Sequence, residues 1–391
     1  MTTGDPAPEQ TQTTRLLDAV AMIADVVQDG AAESDRQGTL ADKTVTALRE
    51  HGFWRMRLCR ELGGLELDVS SQVQVLAALA AVDTSSAWCT MVANSAVAAL
   101  GATMPQPAIE RIFASGVPLC SIAAAPAGVA VPDGDGFRVS ATWRLASSIN
   151  HAEWLHAVAF VEGDPSRPLP LAIPAQELDV LDTWNVIGLA GTGSNDVALV
   201  DHHLPHELAG RIGNPSHQLR GTRRYDLLAL EDLESYEHLA FAVGVASRAL
   251  DELGTALSHG RGGSATGDRE IVQMELGGAL VDLQAMQSLA RAVYDRADAA
   301  AAGDASAWSE QDRHLPRAVA TWATRRALEI VQLAFHRSGG AALYRPNIFE
   351  KLLRDMSVAA THVMVNDAVL ATHALRTIQA HGMDESVRRA G

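Results

Sequence analysis

The first hundred residues alternate apolar and polar positions at helical spacing. From residue 15 to residue 50, apolar side chains return every three or four positions, and Asp42 marks the start of a second helix. The same spacing predicts further helices over residues 69–82 and 85–100. We therefore expect residues 14–115 to form a mostly helical domain.

A period of two replaces the helical period in the middle of the chain. The run Gly134-Asp135-Gly136 is typical of a short turn between two antiparallel strands. Residues 137–143 alternate apolar and polar side chains, and the apolar runs at 155–161 and 197–200 predict two more strands. We expect a β domain over residues 116–225.

Long amphipathic patterns return after the β domain. They are rich in alanine and separated by glycine, which is typical of a helical bundle. The predicted helices cover residues 239–257, 270–300, 315–338 and 349–380. The fold class is therefore mostly α with a β middle domain. The chain divides into a disordered tail at 1–13, helices at 14–115, a β domain at 116–225 and a C-terminal helical bundle at 226–391.

The charge balance narrows the range of partners. The chain of 391 residues has 31 Lys and Arg residues against 47 Asp and Glu residues, a formal net charge of −16. A protein this acidic repels phosphate backbones, so we do not expect nucleic acid as a partner. With 47% hydrophobic residues, the chain is too apolar to be disordered as a whole.

One uncharged stretch is long enough to cross a bilayer, but its composition favours a buried helix. No charged residue lies between Asp83 and Glu110. The stretch contains serine, threonine and asparagine and is broken by Pro105 and Pro107. We therefore expect it to lie inside a helical assembly, with no membrane association.

The cysteines and the N-terminus favour a cytoplasmic protein. Three widely spaced cysteines offer neither a disulfide framework nor a metal-binding knuckle, which fits a reducing compartment. The polar residues 1–14 lack the apolar core of a secretory signal.

Common cofactor and catalytic motifs are missing from the sequence. It has no Gly-x-Gly-x-x-Gly after a strand, no Walker loop, no Gly-x-Ser-x-Gly elbow and no His-Glu-x-x-His. His202 and His203 form a pair without a third ligand, so a surface loop is favoured over a metal site. We expect no bound metal.

Two groups of residues carry candidate chemistry. The first is the run from Trp143 to Trp154 in the β domain, and the second is Arg354-Asp355 followed by His362 on the last predicted helix. A polar stripe on a bundle helix is costly unless it is paired or lines a cavity. A surface stripe or hydrogen-bonded core histidines would give the same spacing, so spacing alone leaves these interpretations open. At about 100° per residue, the positions that share one face are Asp355, His362, Asn366, Val369 and His373.

The order of helices, β domain and helices resembles the acyl-CoA dehydrogenase fold. Residues 48–53 and 62–64 are similar to the family's N-terminal helix and turn, and residues 188–197, ending at Leu204-Pro205, are similar to its β-domain signature. The resemblance covers nearly the whole chain. It implies an N-terminal helical domain, a β-barrel or sandwich domain and a C-terminal four-helix bundle.

Within that family the chain resembles the two-component flavin monooxygenase branch. The branch carries Trp-x-Phe-Ser/Ala-Ser-Gly followed by His and Trp. Here Leu145 replaces the aromatic residue and Ser148 replaces the glycine. The positions that match this motif are Trp143, Ala146, Ser147, His151 and Trp154. The branch's last-helix motif, Arg-Asp with a later His, is matched by Arg354, Asp355 and His362.

The resemblance implies an oxidoreductase that takes reduced flavin, FMNH₂ or FADH₂, from a separate reductase and uses O₂. A C4a-hydroperoxyflavin would then hydroxylate an aromatic, phenolic or polyketide-like small molecule. The branch also implies a homotetramer formed through the C-terminal bundle and a role in secondary metabolism.

The resemblance also implies roles for individual residues. Ser147 would donate a hydrogen bond near the flavin N5/C4a edge and slow the loss of hydrogen peroxide. His362 would deprotonate or hydrogen-bond a phenol, with a pKa suited to neutral pH. The expected flavin contacts are Trp143, Ser147, Thr192, Ser194 and, for the phosphate, Arg261. The expected substrate pocket contains Trp88, Met91, Asn94, Ser95 and Asn366, although ordinary core packing would explain the α-helical residues among them equally well.

Three alternatives remain at this point. An acyl-CoA dehydrogenase needs a carboxylate base; no Glu lies between Glu350 and Glu385, but Glu237 falls near the place where some members carry theirs. The Arg-x-x-Phe-Gly pattern that helps those enzymes hold FAD is missing at residues 261–269. The same flavin chemistry could instead oxygenate the nitrogen of an amine or amino sugar. A catalytically silent assembly protein is the third alternative.

Overall fold

The computed structural model consists of two compact units. Unit 1 comprises residues 1–68 and 85–222, and unit 2 comprises residues 69–84 and 223–391. The residues that the structure describes are 8–123, 125–210, 220, 230–258, 269–309, 312 and 314–390.

Helices flank a central group of strands along the chain. The helices are α1 (Pro8–Gln37), α2 (Asp42–Glu50), α3 (Val69–Val82), α4 (Thr84–Thr103), α5 (Gln106–Ile112), α6 (Leu230–Ser258), α7 (Glu270–Ala301), α8 (Leu315–Arg337), α9 (Ile348–Ala359) and α10 (Ala368–Ala390). The strands are β1 (Cys120–Ala123), β2 (Val129–Asp133), β3 (Gly136–Ala146), β4 (Trp154–Val161), β5 (Asp164–Pro174), β6 (Asp179–Leu181) and β7 (Asn195–Pro205).

The first helix begins earlier than the sequence predicted. Residues 8–13, which were assigned to a disordered tail, form the start of α1. Thr13, Leu16 and Val20 are buried at successive spacings of three and four residues. The buried face therefore extends back into this segment and stabilises one more turn of helix. The prediction of a disordered tail over residues 1–13 is wrong for residues 8–13.

The uncharged stretch forms the buried helix that its composition predicted. Val97, Leu100 and Asn94 of α4 are fully buried in unit 1. Val97 and Leu100 belong to the same apolar cluster as Leu155 of the sheet. None of the described helices is long and apolar enough to cross a membrane.

The described strands of unit 1 form one curled sheet. Its order is β1-β4-β2-β3-β7-β6, and β5 pairs with β4. The predicted hairpin is confirmed, because Asp133 of β2 pairs with Gly136 of β3 across a two-residue turn. The sequence missed β5, which is rich in proline. Proline cannot donate a ladder hydrogen bond, and β5 tolerates it because β4 is the one strand that it pairs with among the described strands, apart from an isolated bridge between Leu171 and Ala209.

A β-bulge interrupts the pairing of β3 with β7. Trp143 lies opposite Val197, but Ala146 lies opposite Asn195, so β3 has one extra residue. Leu145 in the bulge is exposed and has a φ of +62°. A bulge changes the direction in which the following side chains point. As a result Ala146 and the next residues turn inward at the end of β3.

Unit 2 is a bundle of helices that includes α3. The sequence grouped α3 with the N-terminal helices, but α3 packs against α6 and α7. A Cβ added at Gly244 of α6 would lie only 2.2 Å from the carbonyl oxygen of Ala77 on α3. Gly244 therefore permits the close approach of the two helices.

The last predicted helix is broken. α9 ends at Ala359, residues 363–365 form a short 3-10 turn, and α10 begins at Ala368. The Asn366 side chain accepts a hydrogen bond from the Ala368 backbone N–H and caps α10. The prediction that residues 355–373 share one helical face is therefore wrong, because propensity alone did not reveal this cap.

A partly buried lysine joins two buried carboxylates in unit 2 and explains part of the Arg-Asp motif. Lys351 Nζ lies 2.8 Å from Asp355 and 3.6 Å from Asp83. Thr84 donates a hydrogen bond to Asp355 at 2.5 Å. Arg354 pairs with Glu350 one turn earlier on α9. Because buried charges must be paired, these contacts give Asp355 a structural role.

Candidate active site

Three hydroxyl side chains meet at the junction of two neighbouring strands in unit 1. Ser147 follows the last residue of β3, Ser194 precedes the first residue of β7, and Thr192 lies in the tight turn before it. The pairing of Ala146 with Asn195 places the end of β3 beside the start of β7. We call Ser147, Thr192 and Ser194 the hydroxyl cluster.

The hydroxyl cluster is buried and internally hydrogen-bonded. Ser147 Oγ lies 2.6 Å from Ser194 Oγ, and Ser194 Oγ lies 2.7 Å from Thr192 Oγ1. Thr192 Oγ1 donates to the carbonyl oxygen of Leu189 at 2.8 Å. The structure thus brings together three of the five residues that the sequence predicted as flavin contacts.

Two glycines fix the turn that carries Thr192 and Ser194. A Cβ at Gly191 would lie 2.8 Å from the Cβ of Ser34. Gly193 has a φ of +55°, and a Cβ there would lie 3.0 Å from Thr39 Oγ1. Both distances are too short for ordinary packing, so the turn needs glycine at both positions. Gly191 and Gly193, both in the β-domain signature at residues 188–197, therefore allow the turn that carries Thr192 and Ser194 to pack closely against the end of α1.

Ser148 stands where the monooxygenase branch has glycine. Its φ of +64° lies in the left-handed region, so the chain keeps a backbone conformation that favours glycine. Its N–H donates to the Thr192 carbonyl oxygen at 2.8 Å. Its Oγ is buried and has no hydrogen-bond partner among the described residues. A buried hydroxyl without a hydrogen-bond partner lowers the free energy of unfolding unless a bound ligand pairs with it.

Trp143 and His151 hold the framework of unit 1. Trp143 is 1% exposed in the apolar core, and its indole N–H donates to the Val158 carbonyl oxygen at 2.8 Å. The structure therefore places Trp143, which the sequence predicted as a flavin contact, in the apolar core of unit 1. His151 Nε2 lies 2.9 Å from the Leu40 carbonyl oxygen and anchors the segment between α1 and α2.

The residues predicted on α4 as a substrate pocket are buried. Both amide hydrogens of Asn94 are used, by the carbonyl oxygens of Phe53 and Thr90. Ser95 accepts a hydrogen bond from the buried Arg57 at 2.8 Å. These contacts, like the burial of Trp88 and Met91, favour the packing interpretation. The sequence gave no signal for Arg57, since its partner lies on a distant helix.

His362 lies against a second histidine in unit 2. The ring centroids of His362 and His238 are 4.5 Å apart and the rings are tilted by 30°. We call His238 and His362 the histidine pair. Nδ1 of His362 accepts a hydrogen bond from the Met364 backbone N–H at 3.3 Å. Arg317 binds the carbonyl oxygens of Val363 and Met364 and fixes the turn.

The surroundings keep both rings neutral at neutral pH. Burial, with the nearby Arg317 charge as a smaller cause, lowers the pKa of His362 to about 4. Burial likewise lowers the pKa of His238 well below its usual value, and His362 and Arg317 add to this. The expectation that His362 has a pKa suited to neutral pH is therefore not met. Since Nδ1 accepts a hydrogen bond, the neutral His362 ring carries its proton on Nε2.

The remaining predicted residues have separate positions. Glu237 on α6 is buried, and its Oε1 lies 3.3 Å from the Tyr236 hydroxyl. Asn366 caps α10, as described above. Arg261 lies outside the described residues. Among the described residues no group of three or more His, Cys, Asp or Glu side chains could hold a metal ion.

Two family models match this chain. The model "Acyl-CoA dehydrogenase, N-terminal domain" matches residues 10–106, and "Acyl-CoA dehydrogenase, C-terminal domain" matches residues 236–367. Together they cover more than half of the sequence. The chain belongs to the acyl-CoA dehydrogenase family. The resemblance inferred from the sequence motifs is thereby confirmed, as is the fold class of this family.

Curated relatives of this acyl-CoA dehydrogenase family member are named as oxygenases. A pigment production hydroxylase from Rhodococcus sp. is 26% identical over 90% of this chain and 93% of its own length. The oxygenase component of an FADH₂-dependent resorcinol hydroxylase from Rhizobium sp. is 27% identical over 93% of this chain and 94% of its own.

A solved structure has the same fold as this family member. XiaF from Streptomyces sp., in complex with FADH₂ and glycerol, superposes with a TM-score of 0.84. The alignment covers 96% of both chains at 24% sequence identity. This agreement confirms the helix–β–helix fold class.

Proposed function

We propose that this chain is the oxygenase component of a two-component flavin-dependent monooxygenase. It would receive reduced FMN or FAD from a separate reductase and insert one oxygen atom of O₂ into an aromatic small molecule such as a phenol. The single observation that carries the proposal is the hydroxyl cluster. Its Ser147 lies on the motif of the monooxygenase branch, and its Thr192 and Ser194 lie on the β-domain signature of the family. The two relatives named above, a hydroxylase and the oxygenase component of another, align with this chain over about nine-tenths of their length.

The donor and acceptor groups at the end of β3 fit a reduced flavin. Ser147 Oγ is within a closed set of hydrogen bonds, whereas the neighbouring Ser148 Oγ is buried with no partner among the described residues. The isoalloxazine ring offers N–H and C=O groups side by side, which can pair with both hydroxyls. We propose that Ser147 and Ser148 hold this edge of the flavin. When bound, the flavin supplies the O₂ activation.

The histidine pair supplies a hydrogen-bond donor for the substrate. With Nδ1 accepting from Met364, the neutral His362 ring has its proton on Nε2. In the complex with substrate, this N–H would donate to a phenolic oxygen and favour its ionised form. A ring that already carries its proton on Nε2 and has a pKa of about 4 is a poor base for a phenol. We therefore propose that His362 activates the substrate by donation and does not remove its proton.

The alternatives are weaker on the same observations. A dehydrogenase would need Glu237 as a free base, but this carboxylate is buried beside Tyr236. N-oxygenation of an amine uses the same flavin contacts and differs only in the substrate, so it stays the second candidate. The buried cysteines Cys59, Cys89 and Cys120 form no disulfide bond, which supports a cytoplasmic location for either activity.

Oxygen reactivity of the flavin tests the proposal directly. The protein is mixed anaerobically with FMNH₂ or FADH₂ and then with O₂, while flavin absorbance and hydrogen peroxide are followed. We expect flavin reoxidation to be slower than for the free reduced flavin, and a phenol that is a substrate to reduce the peroxide yield. Reoxidation at the rate of free flavin, in the presence of excess protein, would exclude the monooxygenase function. Acyl-CoA thioesters with oxidised FAD would then be assayed, with Glu237→Gln as the variant.

A further inference from the structure

The three hydroxyls of the hydroxyl cluster form a chain that ends on a carbonyl oxygen. Each hydroxyl has only one proton to donate. Thr192 must donate its proton to Leu189, because a carbonyl oxygen only accepts. Ser194, 2.7 Å from Thr192 Oγ1, must therefore donate to Thr192. Ser147, 2.6 Å from Ser194 Oγ, must in turn donate to Ser194.

The surroundings keep this direction from reversing. The Thr192 carbonyl oxygen, another acceptor in the turn, is already bound by the Ser148 N–H at 2.8 Å and by the Cys89 thiol at 3.8 Å. Thr192 is 1% exposed, so its carbonyl and hydroxyl oxygens are out of reach of water that could pair with a hydroxyl turned the other way. Leaving a buried hydroxyl without a hydrogen bond costs more free energy than a formed hydrogen bond contributes to stability. The chain therefore has one stable direction, from Ser147 to Leu189.

Because Ser147 donates its only proton to Ser194, its Oγ can only accept a hydrogen bond from any further partner. The N5 atom of a reduced flavin carries a hydrogen and donates, whereas the N5 atom of an oxidised flavin has a lone pair and accepts. An acceptor facing Ser147 would bring two lone pairs together, while a donor would complete the hydrogen-bond chain. The same three hydroxyls thus distinguish the two redox states of a flavin.

We propose that Ser194 and Thr192 are positioning residues that hold Ser147 as a hydrogen-bond acceptor, so that the site selects reduced over oxidised flavin. This inference rests on the proposed function. It reverses the donor role expected for Ser147 from the sequence, and it gives Thr192 and Ser194 an indirect role in place of direct flavin contact. The Thr192 and Ser194 hydroxyls use their single protons inside the hydroxyl cluster, which supports the indirect role.

Dissociation constants for reduced and oxidised flavin test the inference without any turnover. They are measured anaerobically for FMN and FMNH₂, and for FAD and FADH₂, with the wild type and two variants. Ser194→Ala and Thr192→Val each interrupt the chain and free the Ser147 proton for donation. We expect wild type to bind reduced flavin at least tenfold more tightly, and both variants to lose at least fivefold of that preference. Each tenfold loss of the preference for reduced over oxidised flavin lowers the two-electron midpoint potential of the bound flavin by about 30 mV.

Two further variants keep the direction of the chain and serve as controls. Thr192→Ser retains the hydroxyl, and Ser121→Ala removes a buried hydroxyl that donates only to the Ser147 carbonyl oxygen, at 2.7 Å. Both should keep the wild-type ratio of the two dissociation constants. Circular dichroism melting of every variant separates this effect from a loss of folding.

The outcomes distinguish the two proposals. If wild type binds neither reduced nor oxidised flavin, the proposed function fails. If wild type prefers reduced flavin and the folded Ser194→Ala and Thr192→Val variants keep that preference, the proposed function stands and the directed chain is overturned. An equal loss of affinity for both flavin states in these variants would also overturn it, because a purely structural role would have that effect.

Discussion

His362 lies in a turn that decides which of its ring nitrogens carries the proton. The sequence motif identified the residue but not its state, because that state depends on the Met364 N–H and on Arg317. Burial next to His238 keeps the ring neutral. At the scale of single residues, hydrogen-bond direction therefore determines the available chemistry.

A donor role for His362 makes a specific prediction for two variants. His362→Leu should lower kcat/KM for a phenol by roughly 100-fold, as for other lost donors to a developing anion. His362→Gln retains an N–H donor and should keep a measurable part of the activity. Steady-state hydroxylation assays compare both with His373→Leu on α10 as the control. Equal losses in both variants would instead point to a base, and retained phenol turnover in His362→Leu would remove His362 from the mechanism altogether.

A second buried histidine predicts a pH effect on stability. Both ring nitrogens of His156 on β4 lack a hydrogen-bond partner among the described residues, and burial lowers its pKa from 6.5 to about 4. Above pH 6.5 the ring is neutral in both the folded and unfolded states. As the pH falls from 6.5 to 4, only the unfolded chain takes up the proton, so the free energy of unfolding falls.

The His156→Leu variant should remove this loss of stability. Between pH 7 and pH 4 the wild type should lose up to about 3 kcal/mol through His156, and the variant should lose that much less. Urea unfolding at several pH values measures the difference, with the surface variant His203→Gln as the control. Parallel pH profiles for wild type and His156→Leu would contradict the assignment of this pH effect to His156.

At the scale of elements, glycines decide how closely helices and turns approach one another. Gly191 and Gly193 place the hydroxyl cluster, and Gly244 places α6 against α3. In each case the neighbouring atom comes from a segment distant in sequence. Periodicity predicted most of these elements, but it could not show which glycine serves an approach and which is merely tolerated.

Two glycines on α6 provide a matched pair of variants. Gly244→Ala would place a Cβ 2.2 Å from the Ala77 carbonyl oxygen and should destabilise the protein by roughly 2–3 kcal/mol. At Gly254 a Cβ meets nothing within 4 Å, so Gly254→Ala should stabilise it by about 1 kcal/mol through helix propensity. Chemical denaturation measures both changes. Equal effects in the two variants would show that the approach of α3 does not depend on Gly244.

At the scale of the whole molecule, α7 carries a second apolar face that unit 2 leaves exposed. Val272, Ala279 and Met286 face the bundle. At about 100° per residue, Ile271, Met274 and Val281 share another face of the same helix, and all three side chains are exposed. Gly277 and Gly278 between them leave open space for another helix. An exposed apolar face of this length is typical of a surface that meets another chain.

We expect this face of α7 to join copies of the chain in a homotetramer. Light scattering of the wild type should give about four times the chain mass of 41.4 kDa. Met274→Asp should lower the assembled mass, because a carboxylate at an apolar contact is costly. Gln287→Asp, on the same helix but outside the exposed apolar positions, is the control. A monomer for the wild type would contradict the tetramer, and an unchanged mass for Met274→Asp would place the contact elsewhere.

The sequence by itself determined the order of the elements and the family. Helical and strand periods come from local alternation of apolar and polar residues, and the hairpin at Gly134-Asp135 needs only adjacent residues. The signature at residues 188–197 pointed to the acyl-CoA dehydrogenase family, which the family models confirm. The motif around Ser147 and the one at residues 354–362 pointed to its flavin monooxygenase branch. These features depend on neighbours in the chain, so an amino-acid sequence carries them directly.

Only the tertiary structure decided the direction of the hydrogen bonds in the hydroxyl cluster and the protonation state of His362. Ser147 is an acceptor because Ser194 and Thr192, about 45 residues further along the chain, meet it where β3 ends beside the start of β7, and His362 is neutral because it is buried against His238 and near Arg317 on other helices. Proton positions and pKa values depend on contacts between distant segments. They therefore follow from packing, which no local pattern in the sequence specifies.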